Sequence, residues 1–205
     1  MKKPSQTRTK ILDIAQDAVL SKGFGATSIE EIVAAAEITK GGFFYHFPDK
    51  NALARALIER YIEVEDALFD DLERQARLLT DDPLQTYLVS LKLLEQMLED
   101  LPNGHPGCLI ATSAYQERLF DRDVRQINKQ AMLRWRGRFR QMLDEIAALY
   151  PPRDDVDLDD LADMLSAAVE GGIVLAKTVE EPKAVAKQAR LYRSYVKLMF
   201  QPPIH

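Results

Sequence analysis

Eight consecutive residues, Thr39-Lys40-Gly41-Gly42-Phe43-Phe44-Tyr45-His46, bring together a hydroxyl, an ammonium, two glycines, three aromatic rings and an imidazole. These are the groups that grip a polyanion. Lys40, Tyr45, His46 and, a little further on, Lys50 can donate to phosphate oxygens and fix a register. Phe44 can lie against a thymine methyl. Gly41 and Gly42 admit a close approach of backbone to a duplex, although each lowers helix propensity by roughly 1 kcal/mol. Thr39 can cap a helix or touch a phosphate. Thr27 and Ser28 place hydroxyls at a helix start, where anions are favoured. Other chemistries lack their residues. His46, His105 and His205 are far apart, with no cysteine or carboxylate at metal-ligand spacing. No glycine-rich phosphate loop or nucleophile elbow is present. No enzyme activity, cofactor or metal is expected.

Helices must position this segment, because nearly every stretch of the chain carries helix period and none alternates as a strand does. A first helix is expected over about 6–22, with Ile11, Ile14, Ala15 and Ala18 on one face and Gly23 and Gly25 as its stop. A short helix over about 28–36 starts on two capping signals, Thr27 with Glu30 and Ser28 with Glu31, and buries Ile29, Ile32, Val33 and Ala36. A third spans about 39–47. Two short helices across so tight a turn make a helix-turn-helix, with the motif at about 28–47. Phe43 and Phe47, four apart, share the inward face with Ile32, Val33 and Ile38, which turns Lys40, Gly41, Phe44 and Tyr45 outward. Pro48 closes the third helix, and a long fourth runs over about 50–79. Five more follow: Pro83 to before Pro102, about 108–119, about 121–150, 157–179, and Pro182 to Pro202.

The charge distribution agrees. The chain of 205 residues has net charge −5, yet residues 1–50 carry seven Lys/Arg against six Asp/Glu. Lys2, Lys3, Arg8 and Lys10 precede the first acid, so a phosphate backbone should meet the N-terminal end. The single cysteine, Cys108, excludes an intrachain disulfide and suits a reducing compartment. No apolar run reaches 18 residues and no apolar signal core stands at the N-terminus. A cytoplasmic protein without membrane contact is expected.

The stretch Ala26-Thr27-Ser28-Ile29-Glu30-Glu31-Ile32-Val33, followed by Thr39-Lys40-Gly41-Gly42-Phe43-Phe44-Tyr45-His46-Phe47-Pro48-Asp49-Lys50, resembles the signature of TetR/AcrR-type helix-turn-helix regulators. Three positions depart from that pattern. Glu37 stands where glycine is common and must take positive φ at about 1 kcal/mol. Gly42 replaces a polar residue, and Phe44 replaces a tyrosine, so direct base reading is sparse.

The resemblance implies an all-α fold of about nine helices: a DNA-binding domain over 1–49, joined through the long fourth helix to an effector-binding and dimerisation domain over 50–205. It implies a ligand-responsive regulator, by the family's habit a repressor, that binds double-stranded DNA as a homodimer and leaves a near-palindromic operator when a largely apolar small molecule binds. Pocket candidates are Leu94, Met97, Cys108, Ala111, Tyr115, Trp135, Phe139 and Val169. Interface candidates are Leu161, Met164, Leu165, Ala168 and Gly172, with Ala189, Tyr192 and Val196 on the last helix. Paired glycines at 171–172 argue for close helix approach. Cys108 at a helix start can favour thiolate, so both a redox sensor and a structural thiol stay open. So do two other readings of the chain: a helical small-molecule carrier, and an architectural DNA-binding protein without effector control.

Overall fold

The structure is a computed structural model that describes residues 6–200. Lys2 and Lys3 of the basic arm, and Pro202 and His205 at the other end, lie outside the described residues. The described chain is all helical: α1 (Gln6–Ala26), α2 (Ile29–Ala36), α3 (Lys40–His46), α4 (Lys50–Arg77), α5 (Pro83–Glu99), α6 (Leu109–Tyr115), a 3-10 turn (Glu117–Leu119), α7 (Arg122–Leu149), α8 (Leu158–Thr178) and α9 (Ala184–Phe200). None of the described helices is long and apolar enough to cross a membrane.

Two compact units share the chain. One comprises the residues up to Glu65 together with Gly107–Met132; the other comprises Asp66–Pro106 and the residues from Leu133 on. The functional division expected at residues 49 and 50 follows a different line, because α6 and the start of α7 group with α1–α3.

In the first unit α1 packs on both α2 and α6. Its buried stripe is therefore Ile11, Leu12, Ala15 and Val19. The expected face is corrected by about one position, since Ile14 and Ala18 are only half-buried. Gly23 breaks the helix at φ 83°, ψ 164°, and one further turn carries the chain to Ala26. Beyond the break the Phe24 ring meets Phe120 edge-on, 4.8 Å between centroids. The expected sixth helix is shorter than the periodicity implied: it ends at Tyr115, and a 3-10 turn takes over.

In the second unit α9 packs on α5 and α8. Asp82 caps α5 by accepting the Gln85 N–H at 2.8 Å, and Pro83 occupies the first turn, where its missing N–H leaves nothing unsatisfied. Tyr192 donates its hydroxyl proton to the Leu161 carbonyl at 3.0 Å. Tyr87, 2.9 Å from the Tyr192 oxygen, must therefore be the donor in that second bond. Glu95, 1% exposed, receives Lys92 Nζ at 2.9 Å, Arg190 Nε at 2.8 Å and Arg193 Nη2 at 3.2 Å. Burial alone would push its pKa up; the hydrogen bonds from Lys92 and Arg190 hold it below the usual carboxylate range. On α7, alternate arginines point to opposite flanks. Arg134 and Arg138 reach Asp66, Asp70 and Glu73 of α4, while Arg136 and Arg140 reach Asp163 and Asp159 of α8.

Candidate nucleic-acid interface

Ser28 is the N-cap of α2, accepting the Glu31 N–H at 3.1 Å. Thr27 does not share that duty. It is 1% exposed and donates its hydroxyl to the Gly23 carbonyl at 2.9 Å. The expectation that Thr27 meets a phosphate is thus corrected: its side chain satisfies the carbonyl left open where α1 breaks. Ser28 is exposed, and its O–H can still donate outward.

α2 ends with Glu37 at φ 56°, ψ 43°. Its N–H reaches the Ala34 carbonyl, and the Ile38 N–H reaches the Val33 carbonyl at 3.2 Å. This paired ending turns the chain sharply into α3. Thr39 caps α3 by accepting the Gly42 N–H at 3.0 Å. Phe43 and Phe47 are 0% and 1% exposed, their rings 5.8 Å apart. Truncating either to alanine removes buried ring area worth about 3–5 kcal/mol.

With that face anchored, the opposite one is open. Tyr45 is 85% exposed, Phe44 45%, and Lys40 and Gly41 are exposed. His46 is half-buried with its ring 5.0 Å from that of Tyr45. A Cβ on Gly41 would find only the Thr39 hydroxyl at 3.8 Å, and one on Gly42 would find it at 3.4 Å. Nothing in the described protein demands glycine at either position. Lys40 pairs with Glu30 at 2.7 Å, which holds that carboxyl below its usual range. Any phosphate that approached this cation would have to compete with Glu30. Lys50 is turned inward: it donates to the Phe24 carbonyl, and burial lowers its pKa. Its expected phosphate contact is corrected accordingly, since this ammonium ties α4 to the end of α1.

The profile described as "Bacterial regulatory proteins, tetR family" matches residues 11–57, which include every element of this interface. The transcriptional regulator AcuR of Cereibacter sphaeroides is 29% identical over 83% of this chain and 76% of its own. The HTH-type transcriptional repressor DhaR of a Mycobacterium species is 25% identical over 83% and 82%. Residues 11–57 thus match the DNA-binding domain of the TetR family, and the chain is similar over most of its length to TetR/AcrR-type transcriptional regulators. A TetR-family regulator from Agrobacterium tumefaciens, 19% identical, shares the fold, with a TM-score of 0.79 over 97% of this chain and 100% of its own. The relatives are named as transcriptional regulators, not as enzymes.

The remaining expected site residues belong to the rest of the chain. In the second unit a narrow cleft is lined by Phe69, Tyr87, Leu94, Arg138, Phe139 and Leu165, among others. Leu94 and Phe139 are thus at its wall. Trp135 is buried and Met97 and Val169 half-buried, outside that lining. Cys108, Ala111 and Tyr115 belong to the first unit and are not among the residues that line this cleft. Tyr115 is 77% exposed. Cys108 Sγ caps α6, accepting the Ala111 N–H at 3.5 Å.

Of the expected interface residues, Leu161, Leu165, Gly172, Ala189, Tyr192 and Val196 are buried within the chain. They pack α8 and α9 together and are corrected to intrachain core. Gly172 shows why: a Cβ there would stand 2.8 Å from Val185 Cα. Met164 is exposed and Ala168 half-buried, on the far side of α8. There they join Val174 and Leu175, and on α9 Leu191, Tyr195 and Leu198 are exposed as well. The available signal was that α8 is apolar on two faces, which marks a helix covered twice.

Proposed function

We propose that this chain is a ligand-responsive repressor that sits as a homodimer on a near-palindromic operator, one α3 in each of two successive major grooves. The exposed α3 face carries the reading: Lys40, Gly41, Gly42, Phe44 and Tyr45 project over a buried Phe43–Phe47 anchor. Tyr45, Lys40 and His46 serve the backbone, with Ser28 and Thr39 beside them, and Phe44 and the glycines face the bases. Few base-reading groups leave much of the specificity to half-site spacing and DNA shape. The dimer seam is the outer face of α8 and α9, built on Met164, Ala168, Gly171, Leu175, Leu191, Tyr195 and Leu198. An exposed apolar face on two adjacent helices supports this.

The test is selection of bound duplex from a random library, followed by affinity and size measurements. Wild type selects an inverted repeat and binds it as a dimer. Tyr45→Ala lowers affinity about tenfold, the worth of one hydrogen bond to a charged group. Binding by a monomer, or affinity untouched in Tyr45→Ala, overturns the reading.

An effector enters the cleft beside Leu94 and Phe139. In the present form that cleft has room for little more than a water molecule, so a ligand must part its walls. The same narrowness favours a second reading, a DNA-binding protein without effector control. A small-molecule screen for release of the selected duplex separates the two, since only a compound that prefers the released state can drive it.

A further inference from the structure

The break in α1 is held from three directions. The Gly23 carbonyl accepts from Thr27 Oγ1 at 2.9 Å. The Phe24 carbonyl accepts from Lys50 Nζ, whose ammonium is partly buried. The third hold comes from far along the chain. Gln116, between α6 and the 3-10 turn, accepts the Gly25 N–H on its Oε1 at 3.0 Å. Its amide fills the space that a side chain on Gly23 would need, since a Cβ there would run into Nε2. Leu119, three residues on, comes within 3.4 Å of the Cβ position at Gly25. The two following residues, Phe120 and Asp121, continue the contact: Phe120 meets Phe24 edge-on, and the Asp121 N–H donates to Asn51 Oδ1 at 3.1 Å.

We propose that Gln116 is a positioning residue for DNA binding: it fixes the angle at which the chain leaves α1 and enters the helix-turn-helix. The geometry favours this over plain packing. Gly25 lies three residues before the Ser28 cap of α2, and its N–H donates to a side-chain acceptor 91 residues along the chain. Gly23, with φ 83°, is the conformationally permissive point at which α1 can bend. A hinge of this kind needs an outside group to choose its angle, and Gln116 supplies the acceptor. Because Gln116 caps the end of α6, a rotation or fraying of that short helix moves the amide and releases the hinge. The α6 end is thereby a mechanical input to the DNA-reading unit.

Three forms of the full-length protein test it: wild type, Gln116→Leu, which keeps the volume and loses the acceptor, and Gln116→Glu, which keeps the acceptor. Hydrogen exchange in the free protein reads the latch directly. The Gly25 amide is protected in wild type and Gln116→Glu and exchanges faster in Gln116→Leu. Affinity for the duplex that wild type selects reads the function. Gln116→Leu loses about tenfold, within the range that residues remote from a ligand produce; Gln116→Glu stays within about threefold. A Gly25 amide that is unprotected in wild type overturns the latch whatever the DNA result. A Gln116→Leu protein that exchanges faster yet binds as wild type does makes the contact purely structural and overturns the positioning role. If Gln116→Leu does not fold, Gln116→Asn, one methylene too short to reach, replaces it in both measurements with the same two outcomes.

Discussion

Two adjacent-glycine pairs sit inside helices of this chain, and Gly172 of the one is there for a reason that Gly41 and Gly42 of the other do not share. Gly172 in α8 faces α9 so closely that its missing side chain is a condition of the packing: a Cβ would stand 2.8 Å from Val185 Cα and 3.3 Å from Val185 N. Gly41 and Gly42 in α3 face nothing nearer than the Thr39 hydroxyl, at 3.8 and 3.4 Å. Each pair costs helix propensity, about 1 kcal/mol per glycine. At Gly172 the return comes from within the chain. In α3 no part of the described chain gives one, and the close approach of a duplex proposed above would supply it. Gly172 is thus a folding constraint, and the α3 pair is the candidate for a binding one.

The sharpest test of the first half is Gly172→Ala. The clash is with backbone, which cannot rotate away, so stability in chemical denaturation falls by about 2–3 kcal/mol. A loss below about 0.5 kcal/mol would show α8 and α9 to be less tightly fixed than this distance implies.

The test of the second half has a change of sign in it. Gly41→Ala and Gly42→Ala each raise stability, by up to about 1 kcal/mol, and each lowers affinity for the selected duplex, by roughly tenfold or about 1.4 kcal/mol. Denaturation and fluorescence anisotropy on the same samples give both numbers. Variants that gain stability and keep full affinity would remove the close-approach account of α3.

Much of this was legible in sequence. The inward pair Phe43 and Phe47 and the cap at Ser28 follow from spacing and residue type, because they are decided within one or two turns of chain, while the positive φ of Glu37 follows from the resemblance, which has glycine there. What was not legible depends on contacts across long separations. Thr27 reads as half of a double cap, yet its hydroxyl is needed where α1 breaks at Gly23. Lys50 reads as a phosphate donor, but the same break presents the Phe24 carbonyl to it. The Gln116 contact joins residues 91 apart and leaves no periodic trace. In α8 the stripe through Leu161, Leu165 and Gly172 and the stripe through Met164, Ala168 and Leu175 are both apolar. Periodicity alone does not say which of them faces α9.

Gly171 decides between the two explanations within a single dipeptide, since nothing in the described chain lies within 4 Å of its Cβ position. As a monomer, Gly171→Ala gains up to about 1 kcal/mol in stability. If the outer face of α8 is the dimer seam, the added methyl also weakens association, seen as a rise in the dimer dissociation constant by sedimentation. Higher stability with unchanged association would move the seam away from Gly171.

A smaller effect comes from the titrating neighbours of that same helix. Burial, and then the Lys177 charge, push the His105 imidazole below its usual 6.5. Its folded form therefore prefers to be neutral, and stability is fully present above pH 6.5 and is lost as pH falls through the depressed value. Glu170, next to Gly171, works in the other direction. Burial raises its carboxyl above 4.5, with Lys177 opposing. Its contribution is present below pH 4.5 and is lost as pH rises through the raised value. Between pH 6.5 and 4.5 the two slopes oppose each other, so wild-type stability changes by only about 1 kcal/mol or less, less than a tenfold change in the proton affinity of one group would produce. His105→Gln removes the acid-side loss and leaves a protein that gains stability as pH falls through this window. Glu170→Gln removes the compensating gain and steepens the loss. Denaturant midpoints measured across this pH window resolve both slopes, and two variants that titrate in parallel with wild type would show that neither group senses the packing around α8.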